Sequence, residues 1–140
     1  MIKYLSRAKP EDIKGVALLR LDFNTEDNWR IRAVIPTLRF LLRRAKKIIV
    51  IGHKGRPHSS LIRANVRIRN LRKLSLKSEA RDLGRMLKHE IKFISFRPMA
   101  DAKRMIGRAP HGSIFLLENL RFWEGETSNS AKFAEKLASL

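Results

Sequence analysis

Cysteine is absent from the 140 residues, which excludes disulfide frameworks, thiolate metal sites and thiol nucleophiles. A chain without thiols is compatible with a reducing cytosol. Long apolar runs are missing too: none approaches the roughly 20 residues that a membrane-crossing helix needs. The opening Met1-Ile2-Lys3-Tyr4-Leu5-Ser6-Arg7 is charged too early to contain an apolar secretory core. A soluble, cytoplasmic protein is therefore expected. Neither a Gly-x-x-x-x-Gly-Lys-Ser/Thr nor a Gly-x-Gly-x-x-Gly stretch occurs, so both common nucleotide-phosphate loops are lacking. His53, His58, His89 and His111 have no zinc-ligand spacing, and no metal site is expected.

Acid is also scarce. Thirteen Asp and Glu face 31 Lys and Arg, a formal net charge of +18, so most cations cannot have a carboxylate partner. Such a field attracts phosphates, nucleic acids or acidic surfaces without saying which. A solvated basic surface accounts for it as well as a dedicated nucleic-acid face does.

The remaining composition, 44% apolar in 140 residues, fits one globular domain with a core. Short apolar runs bounded by polar or turn residues read as buried strands: Val16-Ala17-Leu18-Leu19, Lys47-Ile48-Ile49-Val50-Ile51, Ile91-Lys92-Phe93-Ile94 and Ile114-Phe115-Leu116-Leu117. Helical spacing lies between them. Ile31, Ile35, Leu38, Leu42 and Ala45 share a face after a cap at Asn28, with Pro36 kinking the helix or lying in its early turns. Leu76, Ala80, Leu83 and Leu87 follow a cap at Ser75, and a short helix from Pro98 to Ile106 ends at Gly107. Pro110-His111-Gly112 is a turn, and Glu124 to Ser130 a polar connection to a last helix with Phe133, Ala134 and Leu137 on one face. The basic stretch with Arg63, Arg67, Arg69, Arg72 and Lys73 has poor periodicity and reads as a loop or irregular insertion.

Alternating strands and helices predict an α/β fold: a three-layer, doubly wound, mostly parallel sheet with helices on both faces. A helix ending at Leu140 should feed a further strand, so the sheet is expected to be incomplete at its C-terminal end, with an exposed apolar edge.

Three apolar runs stop at polar clusters: Arg20-Leu21-Asp22-Phe23-Asn24, Gly52-His53-Lys54-Gly55-Arg56-Pro57 and Glu118-Asn119-Leu120-Arg121-Phe122. The carboxyl ends of parallel strands face a common crevice where ligands bind. Arg30, Arg56 and Arg121 suit a phosphate or carboxylate because a guanidinium donates two parallel hydrogen bonds. His53 could donate one more, and Gly52 and Gly55 leave room for a close approach. Asp22 either accepts from a ligand hydroxyl or fixes a neighbouring arginine, with Asn24 donating and accepting beside it. Taken singly, each cluster is also explained as a turn. Trp29, Phe122 and Trp123 could stack bases, although packing explains them equally well.

Together these segments resemble phosphoglycerate kinase, in its N-terminal, phosphoglycerate-binding domain, which is Rossmann-like. Arg20-Leu21-Asp22-Phe23-Asn24 is similar to the family's Arg-x-Asp-Phe-Asn, and Arg30-Ile31-Arg32-Ala33 with Pro36-Thr37 to its Arg-Ile-Arg-Ala-x-x-Pro-Thr. His53-Lys54-Gly55-Arg56-Pro57 resembles His-Leu-Gly-Arg-Pro, and Leu74-Ser75-Leu76 resembles Tyr-Ser-Leu. Leu116-Leu117-Glu118-Asn119-Leu120-Arg121-Phe122 matches Leu-Leu-Glu-Asn-Leu-Arg-Phe without change. Departures are Thr25-Glu26 for Val-Pro, a shortened loop before Arg30, Lys54 for Leu, Gly52 for a small polar residue and Trp123 for His.

The resemblance implies a 3-phosphoglycerate site drawing on Asp22, Phe23, Asn24, Arg30, His53, Lys54, Gly55, Arg56 and Arg121, with Arg30 as the catalytic arginine. It implies a kinase activity, reversible phosphoryl transfer between 1,3-bisphosphoglycerate and ADP giving 3-phosphoglycerate and ATP, in glycolysis and gluconeogenesis. It further implies that residues 1–140 form part of one substrate-binding domain, less than half the family's length. The family's Asn-Asp-Ala-Phe-Gly-Thr-Ala-His-Arg segment would begin after residue 140, as would the C-terminal domain that holds Mg-ATP or ADP. The expectations for this chain are phosphoglycerate binding, negligible turnover, no bound cofactor and, as partner, a separate chain supplying the missing strand and nucleotide domain. The alternative is a basic nucleic-acid-binding module that reuses the fold.

Overall fold

The computed structural model describes residues 4–24, 29–56, 72–95 and 97–140. The cap expected at Asn28 and the basic stretch through Arg69 fall outside them. Among the described residues four parallel strands, β1 (Val16–Asp22), β2 (Lys47–His53), β3 (Ile91–Ile94) and β4 (Ile114–Leu117), lie in the order β1-β2-β4-β3. β2 and β4 occupy the middle and need apolar side chains on both faces, which is why their sequences read as continuous aliphatic runs.

Successive strand residues point to opposite faces, so these runs feed two separate cores. Ile48, Val50, Ile114 and Leu116 pack under α1 (Trp29–Leu42) and α2 (Lys77–Leu87) with Leu38, Leu83 and Leu76. Ile49, Ile51, Phe115 and Leu117 pack under α3 (Met99–Arg108) and α5 (Ala131–Ala138) with Ile106 and Phe133. Between β4 and α5 come a 3₁₀ turn at Leu120–Phe122 and a short helix, α4 (Glu124–Thr127). This is the three-layer α/β fold that the sequence predicts.

Several boundaries differ from expectation, each for a physical reason. β1 and β2 run past their apolar segments because their pairing continues through the polar residues, Arg20 opposite Ile51 and Asp22 opposite His53. Pro36 lies inside α1 and not in its first turn. Both Pro36 and Arg32, whose carbonyl loses the amide partner, are exposed to water. Gly107 does not end α3; the helix continues to Arg108 and stops where Ala109 takes the extended conformation required before Pro110. Leu76, and not Ser75, occupies the cap position of α2, though the Ser75 hydroxyl still accepts from the Lys77 amide at 3.3 Å. The polar segment from Glu124 to Ser130 contains α4, and the Ser130 hydroxyl accepts from the Phe133 amide to cap α5.

β1 is an edge strand with unequal faces. Ala17, Leu19 and Leu21 pack against the α1 side, whereas Val16 and Leu18 are 45% and 43% exposed on the other. Val16 and Leu18 are thus apolar side chains that β1, at the edge of the sheet among the described residues, leaves open to water. No described helix is long and apolar enough to cross a membrane.

Candidate functional site in the strand-end crevice

The carboxyl ends of β1, β2 and β4 deliver the polar clusters to one side of the sheet, where hydrogen bonds link them. Asp22 ends β1 and accepts from the Asn24 amide and from Asn24 Nδ2, both at 2.9 Å. It also pairs with Arg30, from the first turn of α1. Of the two roles open to Asp22, fixing a neighbouring arginine is the one the structure displays. The Asn24 amide contributes most to holding the Asp22 carboxyl below its ordinary value; Arg30 acts in the same direction. Arg30 also lies over the Trp29 ring at 5.2 Å.

Asn24 joins the first cluster to the second, since its Oδ1 accepts from the Gly55 amide at 2.6 Å. Gly55 adopts φ +66°, a left-handed conformation that glycine takes without a Cβ penalty. Gly52 serves differently. A Cβ there would stand 2.4 Å from the Leu21 carbonyl oxygen and 2.6 Å from the Phe23 ring, so its value is close packing of β2 on β1. Phe23 itself is buried at 4% exposure and supports the site from within the core.

The third cluster closes the connection. Arg121, in the 3₁₀ turn after β4, donates to the Gly55 carbonyl. Its position is set by Asn119, fully buried, whose Nδ2 donates to the carbonyls of Lys54 (2.7 Å) and Leu74 (2.9 Å) while its Oδ1 accepts from the Arg121 amide (3.1 Å). Glu118, also buried, accepts from the Leu76 amide, the Asn119 amide and the Ser75 hydroxyl at 2.7–2.8 Å. These bonds satisfy a buried carboxylate and tie β4 to the start of α2.

His53 ends β2 at the centre of the crevice, largely buried. Burial is the main reason its pKa lies below the usual histidine value, and the Arg121 charge adds to it; Glu126 and Asp22 pull the other way. Lys54 turns aside to pair with Glu79 of α2 at 2.5 Å, which makes it a brace between β2 and α2. Arg56 is exposed, next in line after Gly55. Asp22, Asn24, Arg30, Gly55, Arg121 and His53 are thus brought together, while Phe23 and Lys54 face their own supports.

Glu126, Asn119 and Glu118 were not among the sequence-derived site residues. Asn119 and Glu118 stand inside the motif carried by Leu116 to Phe122, so that motif was their signal. Glu126 had none, because it meets Arg20 across 106 positions of chain. Trp123 packs and does not stack on a ligand face: its indole N–H donates to the Arg97 carbonyl at 3.3 Å, and its ring lies 6.5 Å from that of Phe133.

The crevice gathers guanidinium, amide and imidazole groups of the kind that bind anions. Among the described residues no three His, Asp or Glu side chains converge on a point where a metal would sit. Asp22 is already engaged by Asn24 and Arg30.

Comparison with known proteins gives this geometry a lineage. The family model described as phosphoglycerate kinase matches residues 13–140. The phosphoglycerate kinase of Wolbachia sp. subsp. Drosophila simulans is 39% identical over 130 residues, 88% of this chain and 30% of that protein. That of Geobacter metallireducens is 36% identical over 148 residues, 99% of this chain and 34% of the relative. The crystal structure of phosphoglycerate kinase from Pyrococcus horikoshii OT3 superposes with a TM-score of 0.61 at 28% identity, over 81% of this chain and 27% of that one. The Coxiella burnetii phosphoglycerate kinase structure shares the fold with a TM-score of 0.67 at 22% identity, over 97% and 32%. The chain spans about a third of the length of these curated relatives. It belongs to the phosphoglycerate kinase family.

Proposed function

We propose that this chain forms the phosphoglycerate-binding part of a phosphoglycerate kinase. In this reading the whole enzyme, acting in the cytoplasm in glycolysis and gluconeogenesis, transfers a phosphoryl group reversibly between 1,3-bisphosphoglycerate and ADP, giving 3-phosphoglycerate and ATP. The observation that carries it is the continuous hydrogen-bonded path from Arg30 through Asp22, Asn24 and Gly55 to Arg121, which fixes two guanidiniums beyond the carboxyl ends of β1 and β4, on either side of β2. Arg121 and Arg56 would bind phosphate or carboxylate oxygens, His53 and Asn24 the hydroxyl end of the substrate, and Arg30 the charge on the phosphoryl group. Residues 1–140 then act as a partial substrate domain, with Mg-ATP or ADP held outside them. Phosphoryl transfer needs both substrates aligned with water excluded, so the chain alone should bind and not turn over.

Calorimetric titration with 3-phosphoglycerate tests this. Saturable binding that Arg121→Gln weakens at least about tenfold is expected; binding indifferent to that change, or robust ATP formation from 1,3-bisphosphoglycerate and ADP by the pure chain, would overturn it.

Among the described residues the outer edge of β1 is unpaired and leaves room for a strand from outside residues 1–140, which a separate chain could supply. Right-handed crossovers place α1 and α2 on one face as strands step away from β1, and α3 on the other as β3 steps back to β4. A strand following α5, on that second face, would step the same way and reach the open edge where Val16 and Leu18 lie exposed. The reading frame downstream of this gene is the direct test.

One observation favours a second, additional reading. α1 and α2 pack side by side and carry exposed cations, Arg32 and Arg39 from one and Lys77 and Arg81 from the other, with Arg43 and Lys88 exposed directly after their last turns. α1 contains no acidic residue. This surface suits a nucleic-acid backbone bound without sequence preference, in which case affinity for a labelled duplex should fall steeply with salt, by up to about 0.9 log units per log salt for each phosphate contacted. No salt-dependent binding to RNA or DNA would dismiss it.

A further inference from the structure

Two guanidiniums and an imidazole of the crevice converge on a carboxylate supplied by their own chain. Glu126 Oε1 lies 3.4 Å from Arg20 Nη2 and 4.0 Å from His53 Nδ1, and its Oε2 lies 3.6 Å from Arg121 Nε. The Glu126 side chain is only 12% exposed. Yet the fit is loose. Charge-assisted N–H···O bonds are usually about 2.7–2.9 Å long, and the buried His53 Nδ1 and Arg121 Nε have no hydrogen-bond partner at all. Buried donors in native proteins are nearly always satisfied. A planar carboxylate has two oxygens to reach three diverging groups, whereas a phosphate or sulfate offers more acceptors, tetrahedrally disposed, and more charge.

We propose that Glu126 is a built-in competitor for the phosphate of the crevice's ligand: it screens Arg20, His53 and Arg121 from one another and must swing aside for a tetrahedral oxyanion to bind. That the natural anion belongs to phosphoglycerate rests on the reading above; the competition itself requires only an oxyanion. The backbone carrying Glu126 is anchored. A Cβ on neighbouring Gly125 would stand 2.3 Å from the Phe133 Cβ, so α4 is pressed against α5 and the movement falls to the glutamate side chain. The other carboxylate near His53, Asp22, is held by Asn24 and Arg30. Glu126 is therefore the crevice carboxylate that repels an incoming anion most directly.

Glu126→Gln keeps the shape and removes the charge. Titrated with sulfate and with 3-phosphoglycerate at low ionic strength, it should bind both about tenfold more tightly than the unaltered chain, as expected for removing one like charge at this distance. Equal or weaker binding of both anions would overturn the proposal while leaving the phosphoglycerate reading untouched. If Glu126→Gln tightens sulfate but neither protein prefers 3-phosphoglycerate over sulfate, the competitor stands and the substrate reading falls. A second measurement needs no variant. In carbon-13-labelled unaltered chain, saturating sulfate should shift the Glu126 carboxyl resonance toward that of an exposed glutamate, and a resonance that stays put would equally sink the idea.

Discussion

Positive charge in this protein is arranged in two different ways. In the strand-end crevice, cations are fixed by acceptors within the fold: Arg30 on Asp22, Arg121 on the Gly55 carbonyl, Lys54 on Glu79. On the outer face of α1 and α2, Arg32, Arg39, Lys77 and Arg81 project into water from helices whose stability comes from the opposite, apolar face. The first arrangement costs conformational freedom and returns a defined geometry. The second costs little and returns only a field, which salt screens over about 8–10 Å. A high net charge by itself thus says nothing about a site; what makes the crevice a candidate is that Arg30, Arg121 and Lys54 are each held by an acceptor of the fold.

The sharpest way to break that contrast is to remove the scaffold and not the charge. Asn119→Ala takes away three hydrogen bonds and leaves the part-buried Lys54 and Leu74 carbonyls without the donor that Asn119 supplies. Unfolding in urea should show a loss of about 2–4 kcal/mol, since each buried group left unsatisfied costs roughly 1–3 kcal/mol. Charge is unchanged, so a near-wild-type stability would mean that the crevice is held by something else. Gly52→Ala attacks the same corner by sterics, because a backbone carbonyl at 2.4 Å cannot step aside. It should cost about 1–3 kcal/mol, the range for overpacking, in the same measurement.

A smaller effect should separate the two charge populations. Replacing Arg32, Arg39 and Arg43 together by Gln removes three charges from the helix face. Stability should move by no more than about 0.5 kcal/mol per site, as for ordinary surface substitutions. Affinity for 3-phosphoglycerate should change less than about threefold at physiological ionic strength, because these groups act on the crevice only through a screened field. A tenfold loss would erase the distinction drawn between fixed and solvated cations.

How much of this could be read in the sequence follows from which interactions are local. Ile91–Ile94 and Ile114–Leu117 appear as strands with the expected ends; central β4 is buried at every residue and writes that burial into a continuous apolar run, while edge strand β3 is only partly buried and interrupts its run with Lys92. β1 hides its length: Arg20, Leu21 and Asp22 look like a strand's end but remain paired with Ile51, Gly52 and His53. The motifs located Asp22, Asn24, Arg30, His53 and Arg121 near one another, since strand ends of a parallel sheet share an edge. They could not tell that Lys54 turns toward Glu79, or that Glu126 reaches back across the sheet to Arg20. Those are properties of side-chain direction and long-range packing, and neither leaves a periodic mark in the chain. Glycine is equally ambiguous on paper: Gly55 is needed for its positive φ and Gly52 for its lack of a side chain.

The smallest effect concerns His53, where the crevice should announce itself through pH. Burial and the Arg121 charge lower its pKa in the folded state, so folding favours the neutral imidazole. As pH falls below about 6.5, the ordinary histidine value, the unfolded chain takes up a proton that the folded chain resists. Stability contributed by His53 is then fully present above that value, declines as pH falls toward the folded-state pKa, and falls no further below it. Asp22 acts in a separate window: its lowered pKa stabilises the fold above the ordinary aspartate range and loses that contribution as pH drops through the folded value. Urea midpoints measured from pH 7 to pH 5 should therefore decline in the unaltered chain and decline less in His53→Gln. No matching change is expected when His111, an exposed turn residue before the amino end of β4 and so at the opposite end of the sheet from the crevice, is replaced instead. Identical slopes for both variants would mean that His53 is no more constrained than a solvated surface group, and the crevice would lose its claim to be the ordered half of this protein's charge.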